Sequence, residues 1–223
     1  MSLNDKILKS KKIIKKAYEK FPKEKIAIAW TGGKDSTVLL HLIKECYKRL
    51  PSPVIFNDST MEFPQIYKFI EKIRKKWKID LITIKHSVTD LAAFRETKTI
   101  KEKSKLARLM KIHSIKRVLS IYKFNAFLVA IRWDEHPARS KENYFSKREN
   151  HTRIHPLLHF TENDIWQYIR TYQVPYVELY DQGYRSLGEK PFTRPARIDS
   201  GERSGRDYDK EQAMEELRNL GYW

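Results

Sequence analysis

The stretch Ala29-Trp30-Thr31-Gly32-Gly33-Lys34-Asp35-Ser36-Thr37, AWTGGKDST, decides the fold. It follows a short apolar run, Ile26 to Trp30. It then opens a segment from Ser36 to Leu50 in which Val38, Leu39, Leu42, Ile43 and Cys46 recur at helical spacing. A strand is thus followed by a tight turn and a helix, and open α/β sheets bind ligands at the carboxyl ends of such strands. Gly32 and Gly33 let the backbone approach phosphate oxygens, the helix beginning at Ser36 and Thr37 points free amides at the same place, and Lys34 adds a mobile positive charge. The common triphosphate loop has four residues between its first glycine and the Gly-Lys pair, with Ser or Thr directly after the lysine. Here Asp35 follows Lys34, so the loop is of another kind. A carboxylate repels phosphate unless it orients the loop or holds magnesium, which makes Asp35 the candidate protein ligand for a magnesium ion arriving with a nucleotide.

Outward from this loop, apolar runs alternate with helical segments. Pro53 to Phe56 and Leu81 to Ile84 read as strands, and Gln65 to Trp77 as a helix begun by Pro64. Lys105 to Lys123 reads as a helix and Ala126 to Ala130 as a fourth strand. The succession predicts an α/β fold with a mostly parallel sheet flanked by helices. Between Arg132 and Arg153 the chain is polar, with arginines at 132, 139, 148 and 153. Thr161 to Thr171 is a helix with Thr161 as its cap, and a final helix is expected near Lys210 to Leu220. Residues 1–24 form a basic amphipathic helix with Ile7, Leu8, Ile13, Ile14 and Ala17 on one side. Residues 175–223 form a loop-rich carboxy-terminal extension, and all 223 residues are expected to make one domain.

The 45 Lys and Arg against 28 Asp and Glu give a formal charge of +17, a field that attracts nucleotides, nucleic acid, sulfate or acidic partners without choosing among them. Apolar residues make up 40% of the chain, which argues against disorder. Cys46 is the only cysteine, so the chain carries no disulfide framework and no cysteine-ligated cluster or zinc. The amino terminus lacks a secretory apolar run and no stretch is long enough to span a bilayer, so a cytoplasmic protein without a membrane partner is expected. His136, His151, His155 and His159 have no accompanying carboxylate pattern, and read as ordinary surface or phosphate-facing histidines.

TGGKDS resembles the SGGKDS signature of the adenine nucleotide alpha-hydrolases, the ATP pyrophosphatases, with Thr31 in place of the usual serine. The resemblance implies a Rossmann-like fold whose loop binds the pyrophosphate of ATP and exposes the alpha phosphate. Thr31, Gly32, Gly33, Lys34, Asp35 and Ser36 are then the nucleotide-binding residues. FNDSTMEFPQIYKFI is similar to the sulfur-assimilation branch of that group through Asp58, Thr60, Phe63, Pro64 and Phe69, and adds Asp58 and Ser59 beside the nucleoside.

Two members of that branch divide the remaining motifs. Met110-Lys111-Ile112, Arg132-Trp133-Asp134-Glu135 and Ala138-Arg139-Ser140-Lys141-Glu142 resemble the small subunit of sulfate adenylyltransferase, with Trp133 where a second arginine is usual. With Lys34 of the loop, Arg132 and Arg139 are the expected catalytic residues, since guanidinium forks match sulfate and phosphate oxygens. YVELYDQGYRSLGEKPFTRPA resembles the phosphoadenylyl-sulfate reductases through Tyr180, Gly183, Tyr184, Ser186, Gly188, Thr193 and Arg194, but has Glu189 and Phe192 where their cysteines stand. GERSGRDYDKEQAMEELRNLGYW resembles the adenylyltransferase ending through Arg203, Gly205, Arg206, Asp209, Met214, Glu215, Gly221 and Tyr222. Arg132, Arg139, Arg194, Arg203 and Arg206 are the candidate oxyanion- or sulfonucleotide-binding residues.

Reduction of a sulfonucleotide by the reductases' route needs a cysteine that attacks sulfur, and Cys46 falls on the apolar side of a helix. The expected function is therefore adenylyl transfer: ATP and sulfate, or a similar small oxyanion, give adenylyl sulfate and pyrophosphate. The resemblance adds a GTPase large subunit as partner, and a homo-oligomer is also open. Alternatives are a reductase or transferase relative that uses an external thiol, a tRNA-modifying enzyme, and a non-catalytic nucleotide-binding protein.

Overall fold

The apolar run before the glycine turn forms strand β1 (Ile26–Ala29), whose residues alternate between two cores, Ile26 and Ile28 on one side and Ala27 on the other. Strand β2 (Val54–Asp58) repeats the division, with Val54 and Phe56 opposing Ile55. So does β4 (Ala126–Leu128), where Ala126 and Leu128 oppose Phe127. Strands that are apolar on both faces belong at the centre of a parallel sheet covered by helices. The computed structural model, which describes residues 1–197, 200–206 and 208–219, shows that arrangement.

With β3 (Leu81–Lys85), β5 (Phe145–Lys147) and β6 (Thr152–Ile154), the six strands run in the order β3-β2-β1-β4-β6-β5. All neighbours are parallel except the β5–β6 edge pair, which is antiparallel. Ile28 lies beside Val54 on one flank and Leu128 on the other. The chain therefore runs outward from β1 to β3 and returns to β4 on the opposite side of β1. The strand order reverses there, and AWTGGKDST leaves the sheet at that crevice.

Helices α1 (Leu3–Lys20), α2 (Lys34–Tyr47), α3 (Pro64–Trp77) and α6 (Glu162–Tyr172) contribute to the larger core on one face of the sheet. On the other face, Val118 of α5 (Ile100–Tyr122) packs with Ala27, Ile55 and Phe127. The first helix buries Ile7, Ile13, Ile14 and Ala17, whereas Leu8, assigned to the same stripe from sequence, is exposed. Ser2 and Asp5 close its start as a capping box, and Ser10 donates to the Pro156 carbonyl at 2.7 Å. Thr161 and Asp164 form a second capping box on α6, in line with the expected cap.

The structure departs from the sequence pattern in three further places. Helix α4 (Val88–Glu96) buries none of its residues, so it leaves no apolar stripe to read. The polar stretch after residue 132 contains β5 and β6. Its Arg153 is buried with the guanidinium 5.3 Å from the Phe127 ring, so a charged residue occupies a core position. The carboxy-terminal helix is divided into α7 (Tyr208–Gln212) and α8 (Met214–Asn219), with Met214 and Leu217 packed on Ile112, Ile131 and Leu158. Leu220, the expected end of that helix, and the motif positions Gly221 and Tyr222 lie outside the described residues. No helix among the described residues is long and apolar enough to cross a membrane.

Candidate active site

Gly32 adopts φ of 75°, a left-handed conformation that a side chain disfavours, and a Cβ there would stand 3.1 Å from Ile66 Cγ2. This turn delivers Gly33 to the amino-terminal cap of α2. Ser36 and Thr37 hydroxyls donate back to the Gly33 carbonyl at 3.0 and 2.9 Å, and Trp30 Nε1 donates to Thr37 Oγ1 at 3.0 Å. The loop is thus held from within. The Lys34 amide donates to the Tyr180 hydroxyl at 2.9 Å, which places a residue of the carboxy-terminal region on the start of α2.

Lys34 is 1% exposed, and its ammonium donates to the Arg185 carbonyl at 2.9 Å and to Glu202 Oε1 at 2.5 Å, with Asp35 Oδ2 3.2 Å away. Arg132 is fully buried and bridges Asp35, Asp134 and Glu202, with Nε 2.9 Å from Asp134 Oδ1. Asp35 therefore ties the loop to the segment following β4. Beside this cluster, Glu135 accepts from Arg139 and from Arg203 Nη1, the latter at 2.6 Å, and Arg203 grips Glu211 with two further bonds of 2.6 and 2.7 Å. Burial pushes the Glu135 carboxyl up, but Arg139, Arg203, Arg132 and Lys34 outweigh it and hold the group well below the usual carboxylate range. Arg206 donates to Ser186 Oγ at 3.1 Å and to the Leu187 carbonyl. Lys111 lies 2.8 Å from Glu189 and 3.8 Å from Glu62, whose carboxyl is pushed up by burial.

Part of this network lines a cavity of about 240 Å³. Ile55, Ile115, Phe127 and Val129 form an apolar wall, while Lys34, Lys111, Arg139, Arg153, Arg203 and Arg206 outnumber Asp35, Glu62 and Glu135 on the polar side. An apolar slot beside a cationic rim suits a planar base joined to an anionic tail.

Thr31, Gly33, Lys34, Asp35, Ser36, Arg139, Arg203 and Arg206 line the cavity together. Gly32 sets the turn behind them. Arg132 lies behind the wall, locked among carboxylates. Asp58 accepts from the Thr60 amide at 2.8 Å and the Tyr67 hydroxyl at 2.7 Å, and Ser59 donates to Glu62 at 2.9 Å, so both shape the turn after β2. Arg194 is exposed, and its amide pairs with the Gly205 carbonyl at 2.9 Å. Sequence reasoning did not assign Tyr180, Glu202, Lys111, Arg153 and Glu135 to the site. Tyr180, Lys111, Glu135 and Glu202 stand inside the motif stretches, but no local pattern gives Glu202 a partner in the loop or marks a buried Arg153.

Cys46 packs half-buried against the core, its thiol pushed up by burial. Among the described residues no group of three His, Cys, Asp or Glu side chains is placed to hold a metal. Asp35, the expected magnesium ligand, is paired with Lys34 and Arg132, so these residues do not fit a resident ion.

Residues 25–195 match the family described as the phosphoadenosine phosphosulfate reductase domain. The chain is 30% identical over 200 residues to an adenosine 5′-phosphosulfate reductase of Halalkalibacterium halodurans, covering 87% of this chain and 84% of that one. It is 32% identical over 184 residues to sulfate adenylyltransferase subunit 2 of Stutzerimonas stutzeri, covering 70% of this chain and 60% of that one. In fold it is similar to the phosphoadenylyl-sulfate reductase of Candida auris (TM-score 0.70, 23% identity, 83% of this chain and 90% of that one). It is also similar to the FMN adenylyltransferase of Candida glabrata, solved with FAD and pyrophosphate (TM-score 0.68, 20% identity, 98% and 83%). With its glycine loop at the sheet's reversal point and more than half its length matched, the chain belongs to the phosphoadenosine phosphosulfate reductase domain family.

Proposed function

We propose that the protein is an adenylyltransferase that cleaves ATP between the alpha and beta phosphates and transfers the adenylyl group to sulfate or a similar oxyanion. One observation carries the reading: the loop, Lys34, Arg139, Arg153, Arg203 and Arg206 line one cavity, while the chain's single thiol, Cys46, packs against the core away from it. An acceptor oxygen attacks the alpha phosphorus as the bond to the bridging oxygen breaks, and charge accumulates on the departing pyrophosphate. In this reading Lys34 receives that charge, and Arg139, Arg203 and Arg206 hold and align the anionic acceptor. Because sulfate is a poor nucleophile and its activation is uphill, the reading includes a GTPase partner that drives the step. Magnesium would enter on the nucleotide phosphates.

The reductase relatives cover more of this chain than the adenylyltransferase does, and they favour a second reading. In it, the same cavity binds adenylyl sulfate or its 3′-phosphorylated form, and an external thiol takes the sulfur group. Phosphorus NMR of ATP turnover separates the two. Sulfate-dependent formation of pyrophosphate supports adenylyl transfer, whereas sulfite release from adenylyl sulfate with added dithiol and an unchanged ATP spectrum supports the second.

A further inference from the structure

Lys34, which lines the cavity, and Arg132, behind its wall, already hold an anion, and it belongs to the chain itself. Glu202 lies 168 residues from Lys34 in sequence, yet its carboxylate spans the Lys34 ammonium, 2.5 Å from Oε1, and the Arg132 guanidinium through Oε2. Its side chain is 9% exposed. The segment that carries it is anchored on both sides: Arg185 Nη1 donates to the Ser200 carbonyl at 2.5 Å, and Arg203 reaches Glu135 and Glu211. A carboxylate held between an ammonium and a guanidinium stands in for one end of a phosphate.

Resting on the pyrophosphate role of the loop, we propose that Glu202 is an internal competitor for the pyrophosphate position and sets the affinity of the site for that group. Lys34 cannot give its charge to a phosphate oxygen while Oε1 holds it, and a second anion beside Glu202 would meet a like charge. Pyrophosphate or the triphosphate therefore binds only as Glu202 withdraws. Apparent affinity is lowered by the fraction of molecules in which the position is open. The contact also discriminates: a monovalent or weakly charged anion does not repay the displacement, whereas a polyphosphate does.

The test is calorimetric titration of pyrophosphate into the full chain. Glu202→Gln preserves size and removes the charge, and is expected to bind pyrophosphate about tenfold more tightly than the wild type. Glu202→Asp keeps the charge but is too short to span both cations, and is expected to fall between them. Equal or weaker binding by Glu202→Gln, with wild-type binding intact, overturns the proposal and makes Glu202 a support for Lys34. If Glu202→Gln fails to fold, Glu202→Asp decides: binding no tighter than wild type overturns the proposal. If the wild type binds neither pyrophosphate nor ATP, the loop's assigned role falls, and the proposal with it.

Discussion

Replacing Arg132 with alanine leaves Asp35, Asp134 and Glu202 facing one another without the guanidinium that joins them. Removing one partner from a buried charge cluster costs roughly 3–5 kcal/mol, so Arg132→Ala is expected to lower the urea unfolding midpoint sharply. Arg194→Ala, at an exposed position, is expected to stay within about 0.5 kcal/mol of wild type in the same titration. Lys34→Ala acts on the ligand. A hydrogen bond to a charged group contributes about 1.5–3 kcal/mol, so ATP affinity measured by calorimetry should fall by roughly ten- to a hundredfold. Unchanged affinity would remove Lys34 from the phosphate site. The two arginines are alike in sequence; what separates them is burial, which arises only when the segment after β4 meets the loop and the carboxy-terminal region.

Among elements, the strand–turn–helix unit at residues 26–47 was legible because its information is local: alternation on β1, two glycines, then an apolar helical stripe. Gly32→Ala tests the turn. Its φ of 75° and a Cβ contact of 3.1 Å to Ile66 are expected to cost about 1–2 kcal/mol in urea unfolding. Gly201→Ala is the matched control, since a Cβ there meets nothing within 4 Å. Equal midpoints for the two variants would show that the loop does not need its left-handed turn. Strand β6 was illegible for the opposite reason. In sequence Arg153 stands in a polar, arginine-rich stretch, whereas in the fold it is buried against the Phe127 ring and lines the cavity. Tyr180, Glu202 and the loop come from distant parts of the chain, and no spacing rule joins them.

At the scale of the whole molecule, burial of ionisable groups couples stability to acidity. His155 is fully buried and burial pushes it down to about 3 from 6.5, while the same effect takes His151 to about 4. The unfolded chain takes up protons below pH 6.5 that these native imidazoles refuse, so stability falls as the pH drops from 6.5 toward those values. Urea midpoints measured from pH 7 to 4.5 should decline, and His155→Leu should reduce the slope whatever it does to the absolute stability. An unchanged slope would show that His155 does not titrate as a buried neutral group. The net charge of +17 supplies long-range attraction for anions, and the proposed chemistry belongs to the crevice where the strand order reverses. Exchange of radiolabelled pyrophosphate into ATP, with and without sulfate, addresses that chemistry directly. Exchange that requires sulfate and disappears in Lys34→Ala is the expected result. Its absence from a protein that binds ATP, across sulfate and other oxyanions and with a GTPase partner supplied, would contradict cleavage at the alpha phosphate.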